Sequence, residues 1–350
     1  MIISGIQQVG IGNPDTPELW KWYRKAFGAD VPVFDEKAEA ALMLPYTGGK
    51  PRSRHAILAL NMQGGGGFEI WQYVGRESLK PEKEVLFGDL GINITKIKAK
   101  NIEEAYAYFK AENLNVFSEL VVNPKGEKHF FVKDPHGNIF QIEQGLDWFS
   151  KRDHVCGGVF GTIIGVSDID KSLNLYKNIL GYDEVVYDEE GIFDDFKSLP
   201  GGDKTFRRVL LRHSEKRVGA FSELFGTTQL ELVEVKDREP RKIFEGRLWG
   251  DQGFIHLCFD INGMEELKKT CENAGHPFTV DSGAGFGMED AAGRFTYIED
   301  NDGTLIEFVE THKVPILKKF GISLDLTKRD PKKSLPKLMV KALGLGRVKD

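Results

Sequence analysis

The feature that most constrains the fold of this chain is a unit of sequence that occurs four times. Each copy begins with a short apolar segment, passes through a polar turn and enters a segment with apolar residues at helical spacing. In the third copy, Ser167 or Asp168 can cap the helix and Gly181 can end it. The copies span residues 9–29, 94–114, 162–182 and 257–277. The repeat therefore decides the fold class before any single motif is considered.

Strand-like segments follow each predicted helix, and the last of them carries an acidic or amide residue between apolar neighbours. The residues at this position are Glu69, Gln141, Glu231 and Glu307. In units two and four the strand follows a tight turn, DPHGN at 134–138 and DNDGT at 300–304. We therefore predict an α+β fold built from four βαβββ modules.

Composition limits the class of protein. With 350 residues, 41% of them hydrophobic, the chain can fill the cores of two ordinary domains. Three cysteines without a CxxC pair argue against a disulfide scaffold and favour a reducing compartment. A formal net charge of −6 argues against a general nucleic-acid partner. The start MIISGIQQVG lacks the features of a signal peptide, so we expect a cytoplasmic protein without stable membrane insertion.

Three segments carry a resemblance to a known family: VSDIDKSLNLYKNILGY (166–182), HFFVKDPHGNIFQIEQG (129–145) and FTYIEDNDGTLIEFVE (295–310). They resemble the vicinal oxygen chelate superfamily, which includes glyoxalase I, bleomycin-resistance proteins, and the extradiol and 4-hydroxyphenylpyruvate dioxygenases. The resemblance spans roughly residues 3–311. It implies modules paired into glyoxalase-like half-barrels, but it identifies an individual activity only weakly.

The spacing within the units suggests how they pair. The first and last metal-ligand positions of the resembled family are separated by 61, 47, 70 and 51 residues in the four units. This alternation predicts that neighbouring units pair, in an N-terminal pair over residues 1–148 and a C-terminal pair over 156–311. Residues 312–350 form a separate basic tail.

In the resembled fold, a pair of units holds a divalent ion with side chains from the first and last strand of each unit. The N-terminal pair offers a poor set of ligands at these positions: Gln8, Glu69, Ile94 and Gln141. The C-terminal pair offers Gly161, Glu231, His256 and Glu307. We therefore predict a metal centre of His256, Glu307 and Glu231, with Gly161 as a missing ligand, for an ion such as Fe, Mn, Ni, Co, Zn or Mg.

With this ligand set, the resemblance implies an enzyme that binds a small substrate through two adjacent oxygens. The resemblance to glyoxalase I implies a lyase or isomerase in which Glu231 or Glu307 acts as a base. A dioxygenase remains an alternative, although its first histidine would fall at Gly161. A metal-free protein that binds a small ligand, like the bleomycin-resistance proteins, is a second alternative. A homodimer is compatible with each of them.

The tail is strongly basic. Residues 313–350 contain eleven Lys or Arg and three Asp. Apolar residues near helical spacing follow Pro336, among them Leu338, Met339 and Ala342. We expect a short helix whose apolar face docks on the body, with contact to a membrane surface as the alternative.

Overall fold

In the computed structural model, residues 1–284, 286–288, 291–317 and 322–349 are described, and only the backbone is described for 286–288, 291, 315–317 and 322. Units one and two supply the first eight strands and two helices. Unit one contains β1 (Ile2–Gly12), α1 (Thr16–Phe27), β2 (Val31–Glu39), β3 (Ser53–Leu60) and β4 (Gly67–Tyr73). Unit two contains β5 (Gly91–Ala99), α2 (Ile102–Ala111), β6 (Val121–Val122), β7 (Lys128–Lys133) and β8 (Ile139–Gln144).

Units three and four repeat this order with small additions. Unit three contains β9 (Cys156–Gly165), α3 (Ile169–Leu173) with a π-helical extension (Asn174–Ile179), β10 (Glu184–Gly191), β11 (Phe206–Arg212), α4 (Ser222–Phe225) and β12 (Gln229–Val235). Unit four contains β13 (Gly253–Asn262), α5 (Met264–Asn273), β14 (Val280–Asp281), β15 (Phe286–Met288), β16 (Ala291–Glu299) and β17 (Leu305–Leu317). The α+β fold of four βαβββ modules is confirmed.

Local sequence explains where the helices begin and end. The side chain of Asp15 accepts a hydrogen bond from the backbone N–H of Glu18 at the start of α1, and Pro17 occupies the first turn. Gly28 ends α1 in the left-handed conformation with φ of 64°. In unit three, Asp168 is the capping residue and accepts from Lys171 N–H.

The strands form two sheets, and each sheet combines two units. The ten-stranded sheet has the order β14-β16-β17-β13-β1-β4-β3-β2, with β15 beside β16 and β18 (Ile322–Asp325) beside β17. The eight-stranded sheet has the order β10-β11-β12-β9-β5-β8-β7-β6. The central strands β1 and β13 are antiparallel, as are β5 and β9.

This arrangement corrects the predicted pairing of neighbouring units, 1–148 and 156–311. Unit one shares a sheet with unit four, and unit two shares a sheet with unit three. The connections give the physical reason. A short segment, 145–155, joins units two and three within one sheet, whereas the longer segments 74–90 and 236–252 cross between the sheets. Spacing inside a unit does not specify its partner, because every unit begins with a similar strand.

The two sheets pack against each other through their central strands and the helices. One large cluster of buried apolar side chains includes residues of all four units, among them Phe27, Phe140, Tyr176 and Phe308. The glycine run 64–67 lies at this junction. Gly66 exchanges two backbone hydrogen bonds with Val159, 2.7 and 2.9 Å long, and a Cβ on Gly65 would lie 2.7 Å from the carbonyl carbon of Gly158.

Residues after unit four only partly match the predicted helical tail. Residues 312–317 extend β17, and β18 follows. The predicted helix is present as α6 (Lys337–Ala342), directly after Pro336. Leu335 and Val340 dock on the body, but Leu338 is 83% exposed. Among the described residues, no helix has both the length and the apolar character needed to cross a bilayer.

Candidate metal centre

Four polar side chains converge on the middle of the ten-stranded sheet. Gln8 comes from β1, Glu69 from β4, His256 from β13 and Glu307 from β17. They occupy the first and last ligand positions of units one and four. The four strands are adjacent in the order β17-β13-β1-β4, so residues distant in sequence meet at one place.

The ligating atoms lie within a few ångströms of one another. His256 Nε2 is 3.2 Å from Glu69 Oε2 and 3.1 Å from Glu307 Oε2. Gln8 Nε2 lies 3.5 Å from Glu69 Oε2 and 3.3 Å from Glu307 Oε2. One ligand atom from each of Glu69, His256 and Glu307 falls within a group no wider than 4.8 Å.

Backbone geometry leaves room for this cluster. Gly10 faces His256 across the β1–β13 pair, and a Cβ at Gly10 would lie 2.3–2.7 Å from three atoms of the imidazole ring. Only glycine at this position lets the ring stand between the two carboxylates. Gly10, between the buried Val9 and Ile11, is the local sequence signal for this contact.

Several polar atoms in the cluster have no hydrogen-bond partner among the described residues. His256 is fully buried, yet neither ring nitrogen makes a hydrogen bond of acceptable geometry, although two carboxylate oxygens are close. Gln8 Oε1 is also buried without a partner. Buried polar groups without partners are costly, and an imidazole, an amide oxygen and two carboxylates are suitable ligands for a divalent cation. The residues present therefore fit a metal ion.

The charges of the cluster do not balance internally. Burial lowers the pKa of His256, but Glu307 and Glu69 outweigh it and raise the pKa to about 9. Burial raises the pKa of Glu307, but His256, Tyr297 and Cys258 outweigh it and bring the pKa below its ordinary range. A protonated imidazole compensates only one of two buried carboxylates, so the centre retains a demand for positive charge.

Aromatic side chains surround the cluster. The ring of Trp249 lies nearly parallel to His256 at 6.4 Å between centroids, and Tyr297 meets His256 edge-on at 5.5 Å. Trp71 packs edge-on against Trp249 at 4.6 Å, and the Tyr73 hydroxyl donates to the carbonyl of Trp249. These rings limit the access of water to the polar centre.

The equivalent positions in the eight-stranded sheet have a different chemistry. They hold Ile94, Gln141, Gly161 and Glu231. Glu231 is fully buried and accepts hydrogen bonds from Lys96 Nζ at 2.7 Å, Tyr187 Oη at 2.8 Å and Arg208 Nε at 2.8 Å. Burial raises the pKa of Glu231, but Arg208 and Lys96 outweigh it and bring the pKa to about 2.

The predicted centre of His256, Glu307 and Glu231 is therefore only partly assembled. The structure brings His256 and Glu307 together, but it places Glu231 in the other sheet, bonded to Lys96 and Arg208. Glu69 and Gln8, which the predicted pairing had assigned to a poor site, complete the cluster. Gly161 is not a gap in this centre, because it also belongs to the other sheet. If the two units that share a site had been chosen by the ligating ability of their residues and not by their order in the sequence, units one and four would have been selected.

Comparison with known protein families identifies the family of this chain. The family model of the "Glyoxalase/Bleomycin resistance protein/Dioxygenase superfamily" matches residues 5–142 and 151–308. The chain belongs to this superfamily. Its two matched segments cover the four units, so the resemblance seen in the repeats is confirmed. A search of curated proteins found no matching relative.

Solved structures of the superfamily share the fold. Glyoxalase I from Zea mays is 13% identical, with a TM-score of 0.56, over 87% of this chain and 92% of that chain. A putative dioxygenase from Bacillus subtilis subsp. subtilis str. 168 is 13% identical, with a TM-score of 0.58, over 88% of this chain and 86% of that chain. At this level of identity the two likenesses establish the fold of the superfamily rather than a reaction.

Proposed function

We propose that this member of the superfamily is a metal-dependent enzyme of the glyoxalase type, a lyase or isomerase acting on a small substrate with two adjacent oxygens. Gln8, Glu69, His256 and Glu307 would hold one divalent ion. The observation that carries the proposal is the convergence of these four side chains, three of them with ligand atoms within 4.8 Å. A bound divalent ion would supply stabilisation of negative charge that develops on a chelated substrate oxygen.

The ligand set favours a metal that accepts oxygen donors. One imidazole nitrogen, two carboxylates and one amide oxygen are a mostly hard set, which suits Mg, Mn, Fe, Co, Ni or Zn better than a thiophilic metal. The two carboxylates would neutralise a divalent cation. This neutralisation also explains why two carboxylates are placed around one buried imidazole, since the imidazolium alone leaves a negative charge uncompensated.

Glu307 is the group that we assign to proton transfer. Its carboxylate oxygen Oε2 lies 3.1 Å from His256 Nε2, and Tyr297 and Cys258 lower its pKa together with His256. Once released from the ion, a carboxylate kept ionised among aromatic rings can accept a proton from a carbon next to a carbonyl. Tyr297 would position this carboxylate, and Trp249 would limit access of water.

Two alternatives have less support. The dioxygenases with two histidines and one carboxylate need a second imidazole, and the cluster contains only His256 among its four side chains. A metal-free ligand-binding protein would leave two buried carboxylates beside one imidazole, an arrangement with an energetic cost that a metal removes. Both alternatives are separate outcomes of the experiments below.

Metal content tests the centre. We expect purified protein reconstituted with Mn, Ni, Zn, Mg or Fe salts to hold about one ion per chain, measured by mass spectrometry of the metals. His256→Ala and Glu69→Gln should lower affinity by about a hundredfold or more, since even outer partners of a ligand contribute 10–100-fold. Glu231→Gln is the matched control and should retain the metal. Retention of the metal by His256→Ala would contradict the proposal. Loss of the metal in Glu231→Gln only would also contradict it.

Proton exchange tests the reaction class. In D₂O, the wild type with metal should exchange the hydrogen next to the carbonyl of α-hydroxycarbonyl compounds, followed by proton NMR. Glu307→Gln, loaded with metal to the same occupancy as the wild type, should lose exchange by about a hundredfold or more, the contribution typical of a general base. Oxygen uptake by the iron form would indicate a dioxygenase instead. Tight binding of a small ligand without any metal would indicate a binding protein.

A further inference from the structure

A cleft lies away from the metal centre, where the two crossing segments 74–90 and 236–252 meet the first residues of β5 and β13. We call it the linker cleft. It encloses about 270 Å³, close to the lower end of the range of known ligand pockets. Its lining includes Phe87, Ile92, Ile94, Ile139, Ile243 and Phe254, which give it an apolar floor.

The rim of the linker cleft is positively charged. Lys80, Lys83, Lys133 and Arg247 line it, and Glu84 is the one carboxylate among the lining residues. Lys80 and Lys83 are exposed and form no ion pair within the part of the chain that the structure describes. This excess of positive charge stands out on a protein whose net charge is −6. It attracts anions to this opening.

Two buried polar atoms of lining residues lack a partner among the described residues. Gln252 is 7% exposed; its Nε2 donates to Ser78 O at 3.0 Å, but its Oε1 accepts no hydrogen bond. Arg247 donates to Gln252 O and Ile243 O, both at 2.6 Å, yet its Nε has no acceptor. Buried groups of this kind are normally satisfied. Both atoms are shielded from solvent, so they lie within the wall of the cleft and do not face its opening.

We infer that the linker cleft binds a small organic anion that has an apolar body. The anionic group would interact with Lys83 and Lys133, and the apolar body would cover Ile139 and Ile243. The inference does not depend on the metal centre, since none of the four candidate metal ligands lines the cleft.

Isothermal titration calorimetry with hippurate tests this inference. Hippurate combines a carboxylate, an amide N–H and a phenyl ring at a size suited to the cleft. We expect one site per chain, hippuramide to bind at least tenfold more weakly because it lacks the charge, and acetate to show no binding because it lacks the apolar body. Equal affinity for hippurate and hippuramide would overturn the inference. The absence of any hippurate binding at concentrations up to about 10 mM would also overturn it.

Variants locate the site. Lys83→Glu changes an exposed side chain and should weaken the binding of hippurate about fivefold or more. Lys133→Met should also weaken this binding, and it keeps the packing of the lysine's aliphatic stem. Lys269→Glu, an equivalent charge reversal at an exposed residue of α5, should keep an affinity for hippurate within twofold of wild type. His256→Ala should also bind hippurate normally. Loss of binding in His256→Ala would place the anion at the metal centre, and wild-type affinity in both cleft variants would exclude the cleft.

Discussion

Each sheet contains four equivalent ligand positions, the first and last of its two units. The buried charges at these positions are compensated differently in the two sheets. In the ten-stranded sheet, Glu69 and Glu307 face one imidazole and no lysine or arginine is bonded to them among the described residues. In the eight-stranded sheet, the one carboxylate at these positions, Glu231, is bonded to both Lys96 and Arg208. We propose that an external cation neutralises the first centre, whereas the second centre has its cations in the chain itself.

The histidines of the two centres show the same contrast. Burial lowers the pKa of His256, but the two carboxylates outweigh it and raise it to about 9. Burial also lowers the pKa of His129 in the eight-stranded sheet, and the charges of Lys96 and Arg208 add to this, which brings it to about 3. The pKa of a buried histidine is thus raised in one sheet and lowered in the other, because the neighbouring charges have opposite signs. Surplus negative charge characterises the sheet that we assign to metal binding.

The largest effect should come from removing an internal cation. Lys96 is fully buried, 2.7 Å from Glu231 and 3.6 Å from Glu143. Lys96→Met should lower the free energy of unfolding by about 3–5 kcal/mol, because it breaks a buried ion pair. Urea denaturation measures it, with exposed Lys21→Met as control. A loss below about 1 kcal/mol would mean that the eight-stranded sheet does not depend on its built-in charge.

Metal should stabilise only the ten-stranded sheet. At a metal concentration a hundredfold above its Kd, the wild type should gain about 2.7 kcal/mol in free energy of unfolding. Glu69→Gln should lose this gain, whereas Glu231→Gln, the change at the equivalent position, should keep it despite its own lower stability. Denaturation with and without metal gives each difference. A gain abolished in Glu231→Gln would reverse the roles of the two sheets.

Acid should destabilise the protein through His129. Around it lie Lys96, Arg208 and Glu231, with Asp195 Oδ2 3.7 Å from its Nε2. Because its folded pKa lies below the unfolded value, the unfolded state binds more protons between about pH 6.5 and 3, and stability falls as pH falls through this window. From pH 6.5 to 5 the loss is about 1.6 kcal/mol. His129→Phe and His129→Gln should both remove this dependence; a slope retained in both would assign it elsewhere.

The smallest effects should come from the two tyrosines that lie beside the buried carboxylates, Tyr187 beside Glu231 and Tyr297 beside Glu307. Tyr187→Phe removes one of the hydrogen bonds to Glu231, and since Lys96 and Arg208 remain, it should cost about 1 kcal/mol of stability without changing metal affinity. Tyr297→Phe, beside Glu307, should instead weaken metal binding by about tenfold. Paired unfolding and metal titration of both variants give the comparison. Equal effects of the two variants on metal affinity would contradict it.

Much of this structure could be predicted from patterns within each unit. Apolar spacing, capping residues such as Asp168 and the turns at 134–138 and 300–304 identified four βαβββ modules, and the last strands located Glu69 and Glu307. His256 was predicted correctly to lie beside Glu307 because both belong to unit four. Glu231 was assigned to the wrong neighbours. Placing it correctly requires knowing which two units share a sheet, and the residues within each unit do not specify this.

The sequence by itself determined the modules, because helix and strand periodicity, caps and turns act over a few residues. It also determined which side chains are available at the ligand positions of each module. Only the tertiary structure decided that Gln8 and Glu69 join His256 and Glu307, by pairing β1 with β13 and β5 with β9. The physical reason is that strand pairing between modules depends on contacts such as that of Gly10 with His256, which are 246 residues apart. Local propensity carries no information about such a partner.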